Sequence, residues 1–345
     1  MAIPITYLRS SGYGSHDMCE MKYFGEYILG LSGPSNMAAD KGTIVHKVME
    51  TFSNAKKANQ NGKKSFRDDD LGITATIDTD PETLTSCAFD YFSKAFSHHN
   101  WSKKDYDFCI NSVNKVLGTQ FDPRTMTIVD AEPFFDIEFP DKWATYSYEL
   151  GGKKVEGQFA IKGTIDTITQ VTPETYEIVD WKTGLRKNWA TGEEYTHESL
   201  FSNAQLRMYH YATHLLYPHV DNVFVTIHYI NHGGPFTIPF TREDIPDTID
   251  MLRNKFQKIR DTAWPKVTRS WKCKGFCYFG KSTFEDTNVK PLIEKRAGQV
   301  CPCGTKMTKC EQLRYCFKHR SMPTIIEHMS KPGYSVTDYQ APGAV

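Results

Sequence analysis

The sequence predicts an α/β protein whose mixed central sheet is flanked by helices. Residues 127–184 hold three runs rich in β-branched and aromatic residues, with turn signals between them. Segments with helical periodicity precede and follow these runs, so the core order is helix, three strands, helix, strand. Hydrophobic residues form 39% of the 345 residues, and aromatic residues form 13%. Such a chain can bury a sizeable core, either as two domains of about 100–200 residues or as one core with insertions.

The first two helices are predicted from the spacing of their apolar residues. In residues 18–31, Tyr23, Tyr27 and Leu31 recur at intervals of four and share one helical face. A loop rich in Gly, Pro, Ser and Asn follows and ends this helix. Residues 41–58 are typical of a second helix.

The segment between the second helix and the first strand begins with polar residues. Residues 59–80 contain runs of lysine and of aspartate, which indicate a flexible connection. Residues 81–118 are again helical and amphipathic in pattern. We therefore expect residues 59–125 to form a helical insertion in a core domain that covers residues 1–264.

The predicted strands form a meander. Their sequences cover 127–139, 159–171 and 175–184. A helix over 201–217, ended by Pro218, and a strand over 223–230 follow. The last core element is a helix over 241–263, for which Thr241 is the expected N-cap.

The charge and hydropathy patterns exclude several classes of protein. The chain has 41 basic and 41 acidic side chains, which excludes a uniformly basic, histone-like protein. A local basic groove beside an acidic metal site is compatible with this balance. No segment reaches the roughly 18–20 apolar residues of a membrane span, and the N-terminus lacks the basic start and apolar run of a signal peptide. We expect a cytoplasmic protein that does not contact a membrane.

Seven of the nine cysteines lie near the ends of the chain. In a reducing compartment, such clustering indicates metal binding rather than disulfides. We therefore expect a Cys-rich lobe over residues 265–320, followed by a tail over residues 321–345. The clustered cysteines are Cys19, Cys273, Cys277, Cys301, Cys303, Cys310 and Cys316.

Two carboxylates and one lysine are predicted to meet at the ends of neighbouring strands. Asp166 lies near the end of one strand, and Asp180 and Lys182 end the next. Positions 180 and 182 differ by two, so both side chains project from one face. Paired carboxylates bind a hard divalent cation, and a neighbouring lysine can position water or stabilise charge on a phosphate. The alternative is a solvated ion pair without catalytic function.

Two helices contribute further candidates. His46 lies on the early helix, and Gln205 and Tyr209 share one face of the helix after the lysine strand. His46 could ligate a metal, and the Gln–Tyr face could contact a nucleic-acid backbone. Each of these two features is weak evidence for function by itself, because a histidine or tyrosine at helical spacing usually has a structural role.

Taken in order, these motifs carry a family resemblance. The set resembles the RecB-like branch of the PD-(D/E)XK nuclease superfamily, which includes AddB-type nucleases and CRISPR-associated iron–sulfur exonucleases. The similarity spans about residues 19–316. The motifs are Gly42-x-x-x-His46, Glu132, Gly163-x-x-Asp166, Asp180-x-Lys182 and Gln205-x-x-x-Tyr209.

The resemblance implies a restriction-endonuclease-like core with a Mg²⁺ or Mn²⁺ site. Its ligands would be His46, Asp166, Asp180 and the Trp181 backbone carbonyl, with Glu132 as a supporting acid or a structural charge. Asp166, Asp180 and Lys182 would be the catalytic residues, and Lys182 would act on the attacking water. Gln205 and Tyr209 would position DNA. Basic residues around this site would assist: Lys182, Arg186, Lys187 and Arg207.

The resemblance also implies a [4Fe–4S] cluster held by four cysteines. Cys19, Cys273 and Cys277 match the first three positions, although two residues rather than three are expected between the latter pair. We favour Cys310 as the fourth ligand, and Cys301, Cys303 and Cys316 compete with it. A Zn²⁺ site at these cysteines is the alternative.

The predicted function is metal-dependent hydrolysis of DNA phosphodiester bonds. We expect an exonuclease for single-stranded or end-containing DNA, of the phage type, in replication, recombination or DNA turnover. A helicase or a recombination or replication factor could be its partner, in a bacterial or infected-host cytoplasm. The alternatives are a non-catalytic iron–sulfur DNA-binding module and a structural zinc protein. Polarity, strand preference, metal number and oligomeric state cannot be predicted.

Overall fold

The structure is a computed structural model that describes residues 3–31, 33–150, 152–188, 190–268, 273, 322–331 and 334. The described helices are α1 (Ser10–Met18), α2 (Glu20–Tyr23), α3 (Met37–Gln60), α4 (Pro81–Ala95), α5 (Lys103–Val116), α6 (His197–Phe201), α7 (Ala204–Leu216), α8 (Ile245–Arg260) and α9 (Met322–Met329). The described strands are β1 (Tyr7–Leu8), β2 (Phe66–Asp68), β3 (Ile73–Ala75), β4 (Ile128–Ala131), β5 (Phe134–Glu138), β6 (Thr145–Leu150), β7 (Lys153–Gln158), β8 (Ala160–Thr164), β9 (Thr167–Thr172), β10 (Thr175–Lys182), β11 (Asn222–Tyr229) and β12 (Phe236–Thr241).

The central sheet has five strands in the order β12-β11-β10-β9-β4. Strands β10 and β11 run parallel, and the other neighbouring pairs run antiparallel. The predicted mixed sheet is therefore confirmed. A three-stranded sheet in the order β1-β8-β5 and the hairpins β2-β3 and β6-β7 complete the described strands.

The predicted meander is wrong in one respect, because two of its three strands are each divided by a bend. The run 127–139 forms β4 and β5, and the run 159–171 forms β8 and β9. The two bends pair with each other: the Glu132 N–H donates to the Asp166 carbonyl at 2.9 Å, and the Ile165 N–H donates to the Pro133 carbonyl at 3.2 Å. One antiparallel ribbon thus leaves the five-stranded sheet and enters the three-stranded sheet.

The predicted N-terminal helix is present in altered form. Helix α2 continues directly into a π-helical turn over Phe24–Ile28, within the predicted range 18–31. The predicted spacing is confirmed for Tyr23 and Tyr27, whose rings stack with centroids 5.3 Å apart, whereas Leu31 lies beyond the end of the helix. Helix α3 begins earlier than predicted, because the Asn36 side chain accepts hydrogen bonds from the Ala38 and Ala39 N–H groups.

The polar segment over 59–80 is not a flexible connection but contains the β2-β3 hairpin. Lys47 of α3 holds it, with Nζ 2.9 Å from Asp70 Oδ2 and 3.3 Å from Asp68 Oδ2. The Thr51 hydroxyl donates to Asp68 at 2.7 Å. Helices α4 and α5 follow this hairpin, so the residues expected to form an insertion pack against α3.

The central sheet separates two hydrophobic cores, and β10 contributes to both. Its residues alternate: Tyr176 and Ile178 pack in the larger core, with residues of α7 and α8. Val179 and Trp181 pack in the second core, with residues of α3, α4 and α5. The sheet is therefore flanked by helices, as predicted.

The remaining helices follow the sequence pattern with different ends. Instead of one helix over 201–217, the chain forms α6 and α7, and Asn203 caps α7 by accepting from the Gln205 and Leu206 N–H groups. Thr241 caps the 3₁₀ turn Arg242–Asp244, which leads into α8. Among the described helices, none is long and apolar enough to span a membrane.

A buried histidine predicts how stability depends on pH. His210 is fully buried, contacts the Thr241 carbonyl through Nε2 at 2.9 Å and stacks on Phe240. Burial, and then the neighbouring His214, lower its pKa to about 4. The folded state therefore resists protonation, whereas the unfolded chain binds a proton below a pH of about 6.5.

We expect the free energy of unfolding to fall as the pH is lowered from about 6.5 towards 4. His210→Gln should remove part of this dependence, and the exposed His197→Gln should not. Urea unfolding at pH 7 and at pH 5 measures both. An unchanged pH dependence in His210→Gln would contradict the assignment.

Candidate active site

The predicted acid–lysine pair lies at the carboxyl end of β10. Asp180 is 1% exposed, and Lys182 Nζ lies 2.9 Å from its Oδ1 and 2.7 Å from its Oδ2. Both side chains project from one face because they are two residues apart on a strand. The carboxylate of the pair is therefore buried, whereas the Lys182 side chain is 33% exposed, and the catalytic role of the pair stays a prediction.

Asp166 lies at the bend between β8 and β9 and faces this pair. Its Oδ2 atom accepts from the Trp181 N–H at 3.2 Å and lies 3.2 Å from His46 Nδ1. The motif glycines allow this close approach. A Cβ on Gly42 would lie 3.1 Å from Thr183 Oγ1, and one on Gly163 would lie 2.6 Å from the Phe135 ring.

Glu132 completes a group of potential metal ligands. One donor atom from each of His46, Glu132 and Asp166 lies within 4.8 Å of the others. Glu132 occupies the opposing bend with a φ of 52°, a conformation that residues with a Cβ rarely adopt. The bend thus directs a carboxylate towards Asp166. Asp180 lies against Lys182 instead, and its role as a ligand stays a prediction.

The electrostatics of the group are those of crowded carboxylates. Burial, and then the Asp166 charge, raise the pKa of Glu132 to about 8. Burial raises the pKa of Asp180 to about 6, although Lys182 opposes the shift. Burial also opposes ionisation of Asp166, but His46 outweighs it and lowers the Asp166 pKa. Glu132 and Asp180 thus resist ionisation, and a divalent cation would favour their ionised forms.

The neighbouring acids favour the charged forms of the two basic groups, and a bound cation would take the place of the His46 proton. Burial acts to lower the pKa of His46, but Asp166 outweighs it and raises the value to about 9. Burial also acts to lower the pKa of Lys182, and Asp180 and Asp166 outweigh it and raise the value. Lys182 is accordingly an ammonium ion that can donate hydrogen bonds.

Gln205 and Tyr209 do lie beside the acids, on α7. The Gln205 amide nitrogen is 3.3 Å from Asp180 Oδ1 and 2.8 Å from the Tyr209 hydroxyl. Gln205 thereby connects the buried carboxylate to the tyrosine. Contact with DNA stays a prediction.

The predicted ring of basic residues is only partly correct. Arg207 is 7% exposed, lies over the Phe201 ring and donates to the Phe201 carbonyl, so it is part of the core and not of a DNA surface. Arg186 pairs with Glu194 at 2.7 Å. Lys182 therefore remains the predicted basic residue that touches the acidic group.

Two grooves meet beside the site and were missed by the sequence interpretation. One, of about 690 Å³, is lined by Lys182 and Gln205, and the other, of about 380 Å³, is lined by Tyr209 and Lys162. Both are bordered by Ser10 and Ser11 of α1. Short polar residues at a helix start carry no distinctive sequence signal, so the lining from α1 could not be predicted.

The sequence of the chain matches a known protein family. The sequence profile of the PD-(D/E)XK nuclease superfamily matches residues 13–281. The chain belongs to the PD-(D/E)XK nuclease superfamily. This membership supports a metal-dependent nuclease and implies DNA as its substrate. The fold predicted from the family resemblance is confirmed, whereas assignment to the RecB-like branch stays a prediction.

The chain is similar to solved structures at low sequence identity. A crystal structure of a candidate exonuclease from Eubacterium rectale shares 13% identity, with a TM-score of 0.43, over 78% of this chain and 86% of that one. The crystal structure of SSO0001 shares 14% identity, with a TM-score of 0.26, over 74% of this chain and 96% of that one. The search of curated proteins found no match.

The first and second predicted cluster cysteines converge on one residue. The Thr268 N–H donates to Cys19 Sγ at 3.4 Å, and Cys273 Sγ donates to the Thr268 carbonyl at 3.7 Å. Cys277, Cys301, Cys303, Cys310 and Cys316 lie outside the described residues. The four-cysteine cluster and its zinc alternative therefore stay predictions.

The geometry predicts that Glu132 contributes to metal affinity. Glu132→Gln should weaken Mn²⁺ binding by about 10-fold or more, because it removes one donor from the group with His46 and Asp166. Glu50→Gln is the matched control, since Glu50 lies one helical turn after His46 but pairs with Lys47. Isothermal titration with Mn²⁺ measures both. Equal affinities in the two variants would contradict the assigned group.

Proposed function

We propose that this nuclease is an exonuclease that hydrolyses single-stranded or end-containing DNA with Mg²⁺ or Mn²⁺. The observation that carries the proposal is the group of His46, Glu132 and Asp166 beside the ion pair of the buried Asp180 with the partly exposed Lys182. Imidazole and carboxylate donors within 4.8 Å of one another fit a divalent cation of this kind.

Each residue has a definite task in the proposed mechanism. A bound divalent cation would acidify water and offset negative charge on the scissile phosphate. Asp166 is held in place by His46 and by the Trp181 N–H, so its carboxylate is preorganised. Lys182, as an ammonium ion, donates a hydrogen bond to the attacking water or to the developing phosphate charge.

Gln205 has a positioning task. Its amide nitrogen lies between Asp180 and the Tyr209 hydroxyl, and it borders the larger groove together with Lys182. We propose that the DNA strand follows the two grooves along α1, which share Ser10 and Ser11, and passes Lys182 and Gln205 in the larger one. Each groove contains one lysine, Lys182 in the larger and Lys162 in the smaller, and lysines suit a phosphate backbone.

The central test uses end-labelled linear single-stranded DNA with Mg²⁺ or Mn²⁺. We expect Lys182→Met to reduce hydrolysis at least about a hundredfold, since it removes the charge-stabilising donor. Lys154→Met, which removes an exposed lysine paired with Glu156, should retain activity. Equal hydrolysis by Lys182→Met and the wild type would contradict the proposed site.

A circular single strand separates exonuclease from endonuclease action. The proposal expects rapid loss of the linear substrate and persistence of the circle. Degradation of both at similar rates would retain a nuclease but contradict the need for an end. Binding of DNA without any hydrolysis would favour the non-catalytic module instead.

We also propose that Cys19, Cys273, Cys277 and Cys310 hold a [4Fe–4S] cluster. The convergence of the Cys19 and Cys273 sulfurs on Thr268 supports it, because thiolates are the ligands of such clusters. By analogy with the resembled branch, the nuclease would work with a helicase or another replication or recombination factor of a phage or bacterium.

The cluster proposal predicts a brown, anaerobically purified protein that contains iron and acid-labile sulfide. Cys19→Ser should lose the visible absorbance, and Cys87→Ser, a change at the free cysteine on α4, should keep it. Iron analysis and the absorption spectrum measure this outcome. Zinc without iron in the wild type would support the zinc alternative.

A further inference from the structure

A second group of metal-ligand side chains lies at the start of α3, outside the candidate active site. One donor atom from each of Asp40, His98 and His99 lies within 4.8 Å of the others. Asp40 is in the first turn of α3, and the two histidines are in the connection between α4 and α5. None of the motifs discussed above includes these residues.

Both imidazole rings turn the same nitrogen to one carboxylate oxygen. His99 Nε2 is 2.6 Å from Asp40 Oδ2, and His98 Nε2 is 3.9 Å from that same atom. The ring centroids are 4.0 Å apart. The hydrogen bond to Asp40 involves only His99, and His98 Nε2 lies 3.2 Å from the Ser35 carbonyl.

The carboxylate is buried, and the oxygen that faces the histidines also accepts a hydrogen bond from Ser35. Its side chain is 3% exposed, and the Ser35 hydroxyl donates to Oδ2 at 2.6 Å. His99 is 13% exposed, while His98 is 37% exposed and therefore open to solvent. An ion could enter from the His98 side, where water could complete its coordination.

We propose that Asp40, His98 and His99 form a transition-metal site, with Zn²⁺ as the ion of matching chemistry. Two imidazoles and one carboxylate are typical ligands of Zn²⁺, whereas Mg²⁺ favours oxygen donors. The site would thus differ in selectivity from the group that contains Glu132 and Asp166. On binding an ion, His98 Nε2 would give up its contact with the Ser35 carbonyl, which lies 3.2 Å away.

The bound ion would connect two parts of the fold. Asp40 belongs to the helix that carries His46, and the histidines belong to the segment expected to be an insertion. His99 also packs edge-on against Trp101, so the connection already has a fixed position. The ion would fasten the α4–α5 connection to α3 and so stabilise the helix behind the active site.

Zinc stoichiometry tests the proposal on the full-length chain. Protein stripped by a chelator is dialysed against saturating Zn²⁺, and the bound zinc is counted. We expect His98→Ala/His99→Ala to bind one Zn²⁺ fewer than the wild type, and the exposed His197→Ala to bind the same number as the wild type. Equal stoichiometry in all three proteins would overturn the proposal.

A second measurement keeps the test valid if the double variant unfolds. His98→Ala removes only the more exposed ring. With Co²⁺ as the probe, its spectrum should lose the part of the d–d bands that comes from this site, and the part from His46, Glu132 and Asp166 should remain. The sulfur-to-cobalt charge-transfer bands of cysteines should be equal in both proteins. Identical d–d bands would overturn the proposal.

Discussion

The paired bend in the ribbon of β4-β5 and β8-β9 determines where the acids lie. Glu132 and Asp166 occupy opposite sides of this bend and are joined by a backbone hydrogen bond of 2.9 Å. The bend passes from one sheet to the other. Both carboxylates therefore lie near the carboxyl end of β10, which carries Asp180 and Lys182. His46 reaches the same point from α3 and binds Asp166. The active-site group thus depends on backbone geometry as much as on side chains.

This arrangement concentrates negative charge where solvent is largely excluded. Asp180 is 1% exposed and the Asp166 side chain is 12% exposed, with Glu132 beside them. With a pKa of about 8, Glu132 is neutral at pH 7, so Lys182 and His46 balance the other two carboxylates. Ionisation of Glu132 would add an unpaired buried charge, which is costly. Stability and function are therefore linked at this point: a divalent cation both relieves the repulsion and supplies the Lewis acid that phosphodiester hydrolysis needs.

Local sequence patterns predicted the parts of the site that depend on one element. The two-residue spacing of Asp180 and Lys182 predicted that their side chains share one face of a strand. A helical pattern predicted that His46 lies on a helix. Long-range effects were not predictable. The bend requires a positive φ at Glu132, a non-glycine residue, and the hairpin after α3 depends on Lys47, which is distant in sequence. Arg207 looked like a surface cation, but its burial follows from contacts with Phe201.

The central claim is that the carboxylates at the paired bend hold a divalent cation. The most direct measurement is the thermal unfolding midpoint with and without Mg²⁺, an ion that prefers oxygen ligands and so does not report on the cysteines. The account predicts that Mg²⁺ raises the midpoint of the wild type, because it binds only the folded site, and not that of Asp166→Asn. An unchanged wild-type midpoint, or an equal rise in both proteins, would contradict it.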